Sequence, residues 1–345
     1  MSDARNIVVV GAGIVGVQLA RALQRDGLAI TLIDKLEPGR GTSFGNAGFI
    51  ATDEIFPLAH GRIVKSIPRW LLDPLGPLSI NTAQIPLLIP WFYRYISACT
   101  GRNSAQNIKA LASLQGLAGE AWREILKREK IDDLMGHNGA YKLFETRRGF
   151  EETAAERAAE TQYGIPWETR SAKELFSAYP ELSRNLYAGI YYPEGMHTIN
   201  PFDLSQAIFK RFTGDGGTFI RGEVQQLLGD RSHVTGVVCD GQILHFDDVV
   251  VAAGYLSGTL LSPLGYRVPM AAERGYHTEV AHDECSVDAP MGFHERGFYV
   301  TPMTSGLRLA GTSEFTSAKA DPKPRWRRAE ILRQHFDELF PHVAK

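Results

Sequence analysis

The chain opens with a run of β-branched residues at positions 7–10, which ends at Gly11 and leads into an apolar-periodic stretch up to Asp26. A continuous apolar run of this length is typical of a buried strand, and the following periodicity favours a helix. Gly27 is a normal helix stop and separates this helix from a second apolar run that ends at Asp34. The pattern therefore predicts a strand, a helix and a second strand in the first 34 residues.

The next strand that the pattern predicts as buried covers residues 248–254, more than two hundred residues after Asp34. Between these two strands, helices are predicted at residues 104–130 and 148–163. A third helix is predicted to begin at Asn200 and Pro201 and to continue to about residue 212. Further predicted elements are strands at 141–145, 218–220, 223–228, 234–239, 273–280, 298–302 and 307–311, and a helix at about 326–340. We therefore expect an α/β fold in which a long insertion interrupts a Rossmann-type sheet.

Three glycines at the end of the first strand follow the spacing G-x-G-x-x-G. Such a turn brings backbone N–H groups against a pyrophosphate at the positive end of a helix, here at Ile14 and Val15. Asp34 closes the second strand at about the distance expected for a ribose-binding acid. Strand, glycines, helix, strand and acid in this order predict an adenine dinucleotide site that includes Gly11, Gly13, Gly16 and Asp34.

The elements after Asp34 favour FAD over a nicotinamide cofactor. A nicotinamide enzyme of the doubly wound type usually continues with further parallel strands and helices. Here a segment rich in glycine and small polar residues, 35–51, leads into the insertion instead. A nicotinamide dehydrogenase stays as a third alternative, which needs a different series of strands after Asp34.

Composition is that of an ordinary enzyme, with 345 residues, 44% hydrophobic residues and a formal charge of −2. No basic excess indicates nucleic-acid binding. The three cysteines, Cys99, Cys239 and Cys285, are far apart and odd in number, so they predict packing residues and neither disulfides nor a metal site. The first strand begins too close to Met1 for a secretory signal, which predicts a cytoplasmic protein.

The most apolar stretch, residues 85–99, contains two prolines and Arg94 and is too short to cross a bilayer. A helix packed on the protein's own core is the favoured interpretation. The alternative is peripheral contact with the inner face of the plasma membrane, together with Trp70, Leu71 and Leu72.

Several separate motifs resemble the FAD-dependent D-amino-acid oxidase and dehydrogenase superfamily, with the bacterial D-amino-acid dehydrogenases as the most similar subgroup. The resemblance extends over essentially the whole chain. Its motifs are the glycine fingerprint with Asp34, the 43–48 loop ending in Asn-Ala-Gly, and the segments 70–78, 197–201, 249–254, 273–276 and 298–302.

The resemblance implies oxidation of the Cα–N bond of a small amino acid: a D-amino acid, glycine or an N-methyl amino acid. Hydride passes to the flavin, and the imine hydrolyses to a 2-oxo acid and ammonia. Tyr299 occupies the position of a tyrosine that bonds the substrate carboxylate. Arg274 and Tyr276 share one face of a predicted strand and His277 points away; Arg274 either binds a carboxylate or forms a salt bridge. His197 and His277 either orient substrate or flavin or are structural.

The resemblance also extends the predicted cofactor site. It implies that Ser43, Asn46, Ala47 and Gly48 run toward the flavin. The remaining predicted contacts are Lys35 beside the ribose acid, Val224 near adenine, and Ala253 and Gly254 near the diphosphate. The implied FAD-binding domain comprises residues 1–60 and 190–260 with part of 310–345, and the inserted α+β substrate domain comprises 61–189 and 261–310.

The C-terminus departs from the family pattern. By resemblance, a segment carrying a carboxylate-binding arginine is expected after the last predicted helix, whereas this sequence ends at Lys345. The alternative function is therefore a truncated, catalytically silent FAD-binding protein, or one that depends on a partner or associates with itself. The electron acceptor, quinone or oxygen, is left open.

Overall fold

The computed structural model describes residues 5–57, 67, 73, 75–80, 84–99, 101–281, 285–316 and 323–343. The chain divides into two compact units, one formed by residues 5–45 and 201–272 and the other by the described parts of 46–200, 273–316 and 323–343. Residues 70–72 and 74, which belong to the family-like segment 70–78, lie outside the described residues.

The helices of the described residues are, in chain order, α1 Ile14–Arg25, α2 Ile85–Ala98, α3 Gly101–Glu129, α4 Arg147–Glu152, α5 Ala154–Gln162, α6 Ala172–Ala178, α7 Pro201–Gly214, α8 Ser257–Leu261 and α9 Arg327–Leu339. The strands are β1 Asn6–Val10, β2 Ala29–Asp34, β3 Phe49–Ile50, β4 Leu78–Ile80, β5 Met135–Gly136, β6 Ala140–Phe144, β7 Glu168–Ser171, β8 Ala188–Tyr192, β9 Met196–Thr198, β10 Thr218–Arg221, β11 Val224–Gly229, β12 Val234–Cys239, β13 Gln242–His245, β14 Asp248–Val251, β15 Ala272–Val280, β16 Met291–Phe293, β17 Phe298–Met303 and β18 Gly306–Thr316.

The first unit is built on a parallel sheet in the order β10, β2, β1, β14. Val8 of β1 is fully buried and pairs with Thr31 of β2 and with Val249 of β14. The strand predicted from the late apolar run thus lies beside the first strand of the chain, and the predicted interruption of the Rossmann sheet is confirmed. An antiparallel sheet of β11, β12 and β13 completes this unit.

The second unit is built on a mixed sheet in the order β15, β18, β17, β16, β6, β8, β7, with β4 paired to β18. Its main core cluster includes Leu307 and Leu309 of β18 and Leu332 and Phe336 of α9. A smaller sheet in the order β3, β9, β5 pairs Phe49 with His197, and His197 with Gly136.

Most predicted elements lie within a few residues of the observed ones, but the charged helix predicted at 148–163 is wrong in one respect. It is broken at Thr153 into α4 and α5. Thr153 has a ψ of 5°, and its hydroxyl donates to the carbonyl oxygen of Phe150 at 2.9 Å. Such local side-chain bonding competes with helix continuation, and hydrophobic periodicity does not register it.

The two units differ in extent from the predicted domains. The first unit ends at residue 45 instead of 60, resumes at 201 instead of 190 and ends at 272 instead of 260. Strand β18 and helix α9 belong to the second unit. All three cysteines are buried and unpaired, as expected for packing residues. Within the described ranges, no helix combines the length and apolarity needed to cross a membrane.

Candidate functional site

The turn between β1 and α1 has no room for side chains at two of its glycines. Gly11 has a φ of 106°, which disfavours residues with a Cβ, and a Cβ built there overlaps the carbonyl oxygen of Ala252. A Cβ on Gly16 overlaps the carbonyl oxygen of Gly11. The glycine spacing is therefore required by the close approach of the helix, the first strand and the segment that follows β14.

Helix α1 presents an N-terminus without a side-chain cap beside this turn. Its N-cap is Gly13, and its first turn contains no acidic residue. The N–H of Ile14 donates to Oγ of Ser43 at 3.0 Å, and the side chain of Val15 is exposed. The N–H groups and the dipole at the start of α1 therefore favour an anion such as a pyrophosphate.

Asp34 ties the end of β2 to the glycine turn. Its Oδ2 accepts a hydrogen bond from the N–H of Ala12 at 2.7 Å, and its Oδ1 accepts one from the N–H of Leu36 at 2.8 Å. A carboxylate has further lone pairs, so these two bonds leave capacity for ribose hydroxyls. Lys35 is engaged elsewhere: its Nζ pairs with Glu223 at 2.9 Å, and this hydrogen bond raises the pKa of Lys35.

The remaining predicted cofactor residues of the first unit, Val224, Ala253 and Gly254, lie in a strand or in the turn that follows β14. Val224 and Ala253 pack against the core cluster around Val8 and Val10. Gly254 follows β14 with a φ of 56° and begins a short 3-10 turn. Val224 and Ala253 thus contribute their side chains to the core, whereas Gly254 is exposed.

The residues from Asn46 to Gly48 belong to the second unit. Oδ1 of Asn46 accepts from the N–H of Gly48 at 2.7 Å, and the carbonyl oxygen of Gly48 accepts from the N–H of Thr198 at 2.8 Å. Gly48 has a φ of 71°, and a Cβ there would lie 2.8 Å from Cε of Met303. The glycine of the Asn-Ala-Gly motif is thus required by both its conformation and its packing.

Arg308 of β18 anchors this loop, although it was not among the predicted site residues. Its Nη1 donates to the carbonyl oxygen of Asn46 at 3.1 Å. Its Nε and Nη2 donate to Oε1 of Glu279 at 3.0 and 2.8 Å. Arg308 is only 5% exposed, and its charge is neutralised by the partly exposed carboxylate of Glu279.

Tyr299 of β17 faces a carboxylate. Its hydroxyl donates to Oε1 of Glu54 at 3.1 Å, and its ring stacks on Phe49 with 6.1 Å between centroids. Gly292 is the cross-strand partner of Tyr299. Because glycine has no side chain, it leaves room for the tyrosine ring. The charge of Glu54, together with burial, raises the pKa of Tyr299 well above its ordinary value, so the hydroxyl stays protonated.

Asp53 precedes Glu54 in the chain and is 8% exposed. Burial first, and then the charge of Glu54, raises the pKa of Asp53 to about 7. Its Oδ1 has no hydrogen-bond partner among the described residues. Sequence reasoning missed both acids, and the only signal was a pair of acidic residues in a stretch that is otherwise mostly apolar.

His197 is buried at 2% exposure, and its ring lies against the backbone of Gly136. It is the cross-strand neighbour of Phe49, whose ring contacts Tyr299, so the structure brings His197 into the same region as Tyr299. Burial lowers the pKa of His197 to about 4. The imidazole is therefore neutral at physiological pH and acts only as a neutral donor or acceptor.

The predicted residues of β15 alternate in direction. The hydroxyl of Tyr276 donates to Oε2 of Glu314 at 2.9 Å and accepts from the N–H of Arg325 at 2.9 Å, within the core of the second unit. The side chain of Arg274 also bonds Tyr276. His277 instead lies near Arg308, and burial lowers its pKa.

A family model described as DAO, FAD dependent oxidoreductase, matches residues 6–345. The chain belongs to this family. It is therefore an FAD-dependent oxidoreductase, which confirms the predicted family, cofactor and enzyme class and removes the nicotinamide alternative.

Similar proteins agree with this assignment. A D-amino-acid oxidase of Bradyrhizobium diazoefficiens is 30% identical over 350 residues, covering 100% of this chain and 82% of that protein. A D-amino acid dehydrogenase of the same organism is 26% identical over 345 residues, covering 97% and 80%.

Among solved structures, L-proline dehydrogenase from P. horikoshii has a TM-score of 0.70 at 16% identity, covering 99% of this chain and 78% of that one. Glycine oxidase from Bacillus cereus has a TM-score of 0.66 at 16% identity, covering 98% and 78%. At this level of identity the likeness concerns the fold, and it confirms the predicted fold class.

The first unit of this FAD-dependent oxidoreductase fits the cofactor of its family. Gly11 and Gly16 keep the β1–α1 turn tight, and the first turn of α1 presents N–H groups without a competing acid. Asp34 lies at the same turn with acceptor capacity left over. The start of α1 and Asp34 are therefore compatible with the pyrophosphate and ribose of FAD, and the assignment of individual cofactor contacts stays a prediction.

Proposed function

We propose that this protein oxidises the Cα–N bond of a D-amino acid. The observation that carries the proposal is the 30% identity, over the whole chain, to a D-amino-acid oxidase. Bound FAD supplies the acceptor for the hydride that leaves Cα. The amine loses a proton, and water hydrolyses the resulting imine to a 2-oxo acid and ammonia.

The chain's own residues have binding and positioning roles in this proposal. In the first unit, the start of α1, Ser43 and Asp34 bind the pyrophosphate and ribose. In the second unit, Asn46, Ala47 and Gly48 run toward the flavin, and Arg308 positions them through the carbonyl oxygen of Asn46. A preformed site of this kind lowers the entropic cost of aligning the substrate.

For the substrate we propose contacts with Tyr299 and His277, with His197 as a neutral group that orients either substrate or flavin. The supporting observations are the partly exposed ring of Tyr299 and the position of His277 near Arg308. Tyr276 and Arg274 are proposed as structural residues because Tyr276 is bonded to Glu314 in the core.

The decisive experiment is an absorbance spectrum of the purified protein before and after anaerobic addition of D-alanine or D-proline. We expect a bound flavin whose visible absorption bleaches. L-alanine and L-proline, which differ only in configuration, are the controls and should bleach it far more slowly. A flavin that stays oxidised with every D-amino acid, glycine and N-methyl amino acid would contradict the proposal.

A second measurement separates an oxidase from a dehydrogenase. Hydrogen peroxide formed in air is compared with reduction of a quinone-like dye at the same substrate concentration. Peroxide at a rate close to that of dye reduction identifies oxygen as the acceptor, and dye reduction without peroxide identifies a dehydrogenase.

A further inference from the structure

Acidic side chains are concentrated beside Tyr299 in the second unit. Asp53 is within electrostatic range of Glu54 and Glu160, and Lys142 is the cation whose charge opposes them. Lys142 is itself 3.6 Å from Glu156. The region is therefore electronegative, and one lysine is shared among several carboxylates.

Three buried polar atoms in this region have no partner among the described residues. One is Oδ1 of Asp53, on a side chain that is 8% exposed. The second is Oγ1 of Thr301, a fully buried residue two positions after Tyr299 and therefore on the same face of β17. The third is Nδ1 of His197, which is 2% exposed. Buried polar atoms without partners cost stability, so such atoms indicate that a ligand or water completes the site.

The Tyr299 hydroxyl cannot serve a substrate carboxylate while it is bonded to Glu54. A tyrosine has a single O–H hydrogen, and here that hydrogen points to Oε1 of Glu54. An approaching ligand meets the free lone pairs of Tyr299 and of Glu54, all of which are acceptors. A carboxylate at this point would be repelled by Glu54, whereas an ammonium group would donate to both residues.

We infer that Glu54 and Tyr299 form a subsite for an alkylammonium group of the substrate, with the unpartnered Oδ1 of Asp53 in the same region. The inference rests on the proposed function, since it assigns a polarity to that same substrate site. The ammonium group has two sources: the α-amino group of any amino acid, or the side chain of a basic one. The described residues contain no group of three His, Cys, Asp or Glu side chains arranged to hold a metal ion, which favours an organic cation.

The test measures binding without turnover. The FAD-loaded protein is titrated by calorimetry with n-butylamine and with butyrate, which match in chain length and differ in charge. We expect butylamine to bind more tightly, and Glu54→Gln to weaken butylamine binding by about 10-fold or more, as for loss of a charge-assisted hydrogen bond. Glu124→Gln is the matched control, because Glu124 lies on the exposed face of α3 in a surface pair with Arg128.

Tyr299→Phe tests the same subsite should Glu54→Gln fail to retain flavin. This variant keeps the charge of Glu54, so butylamine should still bind more tightly than butyrate. If Tyr299 instead binds carboxylates, the variant will weaken butyrate binding and leave butylamine unaffected. That result, or tighter binding of butyrate than of butylamine by the unaltered protein, overturns the inference.

Kinetics then identify the source of the ammonium group. Flavin reduction by D-lysine, D-norleucine and D-alanine is compared in the unaltered protein and in Glu54→Gln. An equal loss for all three assigns the subsite to the α-amino group, and a loss confined to D-lysine assigns it to the side chain. Unchanged rates for all three contradict the inference and leave the proposed function intact. Butylamine binding without flavin reduction by any amino acid contradicts the proposed function alone.

Discussion

The hydroxyl of Tyr299 donates to Oε1 of Glu54 at 3.1 Å, although 245 positions separate the two residues in the chain. Strand β17 carries Tyr299, and Glu54 lies a few residues after β3. Tyr299 resembles a residue that binds a carboxylate, but its hydroxyl is bonded to a carboxylate of the protein itself, so the polarity of the proposed substrate site depends on this pair.

Replacing Tyr299 with phenylalanine removes this bond and leaves Glu54 without its partner. We expect kcat/KM for the D-amino-acid substrate to fall by about 10-fold or more, the usual effect of losing a hydrogen bond to a charged group. Flavin content, measured by visible absorbance, should not change, because the fingerprint residues lie in the first unit. Unaltered kinetics would remove Tyr299 from the site.

Asp34→Asn should weaken FAD binding by about 10-fold, since one oxygen that accepts a backbone N–H is replaced by an NH₂ donor and the charge is lost. Fluorescence quenching during titration of the apoprotein with FAD measures the dissociation constant. Asp230→Asn is a matched control, because Asp230 lies in a solvent-exposed turn where its Oδ1 accepts bonds from Ser232 and His233. Equal affinities for both variants would contradict the role of Asp34.

Gly16→Ala should abolish FAD retention or folding, because the new methyl group overlaps the carbonyl oxygen of Gly11. Gly116→Ala is the control. Gly116 lies inside α3, and a Cβ added there would meet nothing within 4 Å, so alanine should stabilise the helix by about 0.5–1 kcal/mol. Thermal unfolding and flavin absorbance of the two variants check both expectations; normal flavin retention by Gly16→Ala would argue against the tight turn.

Asp53→Asn should stabilise the protein at alkaline pH. The folded protein holds a proton on Asp53 up to a pKa of about 7, against an ordinary value of 3.8, so it binds more protons than the unfolded chain between these values. Stability therefore falls as pH rises through this window. At about 1.4 kcal/mol per pKa unit, the cost reaches roughly 4 kcal/mol above pH 7.

The asparagine variant lacks this titration. Its melting temperature should exceed that of the unaltered protein at pH 8, and the difference should shrink toward pH 4. Glu54, Glu160 and Lys142 face Asp53 and stay in place in both proteins, so their own titration largely cancels in the comparison. A difference that does not vary with pH would show that Asp53 is not protonated by burial.

Arg308→Lys should loosen the Asn46–Gly48 loop, because lysine cannot reach Glu279 and the carbonyl oxygen of Asn46 with a planar fork. We expect FAD to dissociate about 3- to 10-fold faster, as for loss of one hydrogen-bond donor to a backbone carbonyl. Arg333→Lys is the matched control, since Arg333 forms a partly exposed pair with Asp337 on α9. Stopped-flow displacement of FAD measures both rates, and identical rates would exclude an anchoring role.

The acidic residues and the arginine could not have been predicted as a site. Asp53 and Glu54 stand in a stretch without clear periodicity, and Arg308 is one charged residue in an apolar strand. Their significance depends on strand pairing, because β17 and β18 pair Thr301 with Arg308 and leave Tyr299 on the same face. Register between distant strands has no local signature in a single sequence.

The sequence by itself determined the dinucleotide turn. Its strand, glycines, helix and acid lie within one short βαβ segment, and the close approach of backbone at Gly11 and Gly16 leaves no alternative residue. It also determined the late strand β14, because its run of β-branched residues favours a strand, although the structure leaves all four of its residues half-buried at the end of the sheet. Tertiary structure alone decided that Glu54 pairs with Tyr299, that Arg308 anchors Asn46, and that Tyr276 faces the core. Those contacts form between side chains that are far apart in the sequence and that only the folded chain brings together. The burial of these side chains, which shifts their pKa values, is likewise a property of the folded protein.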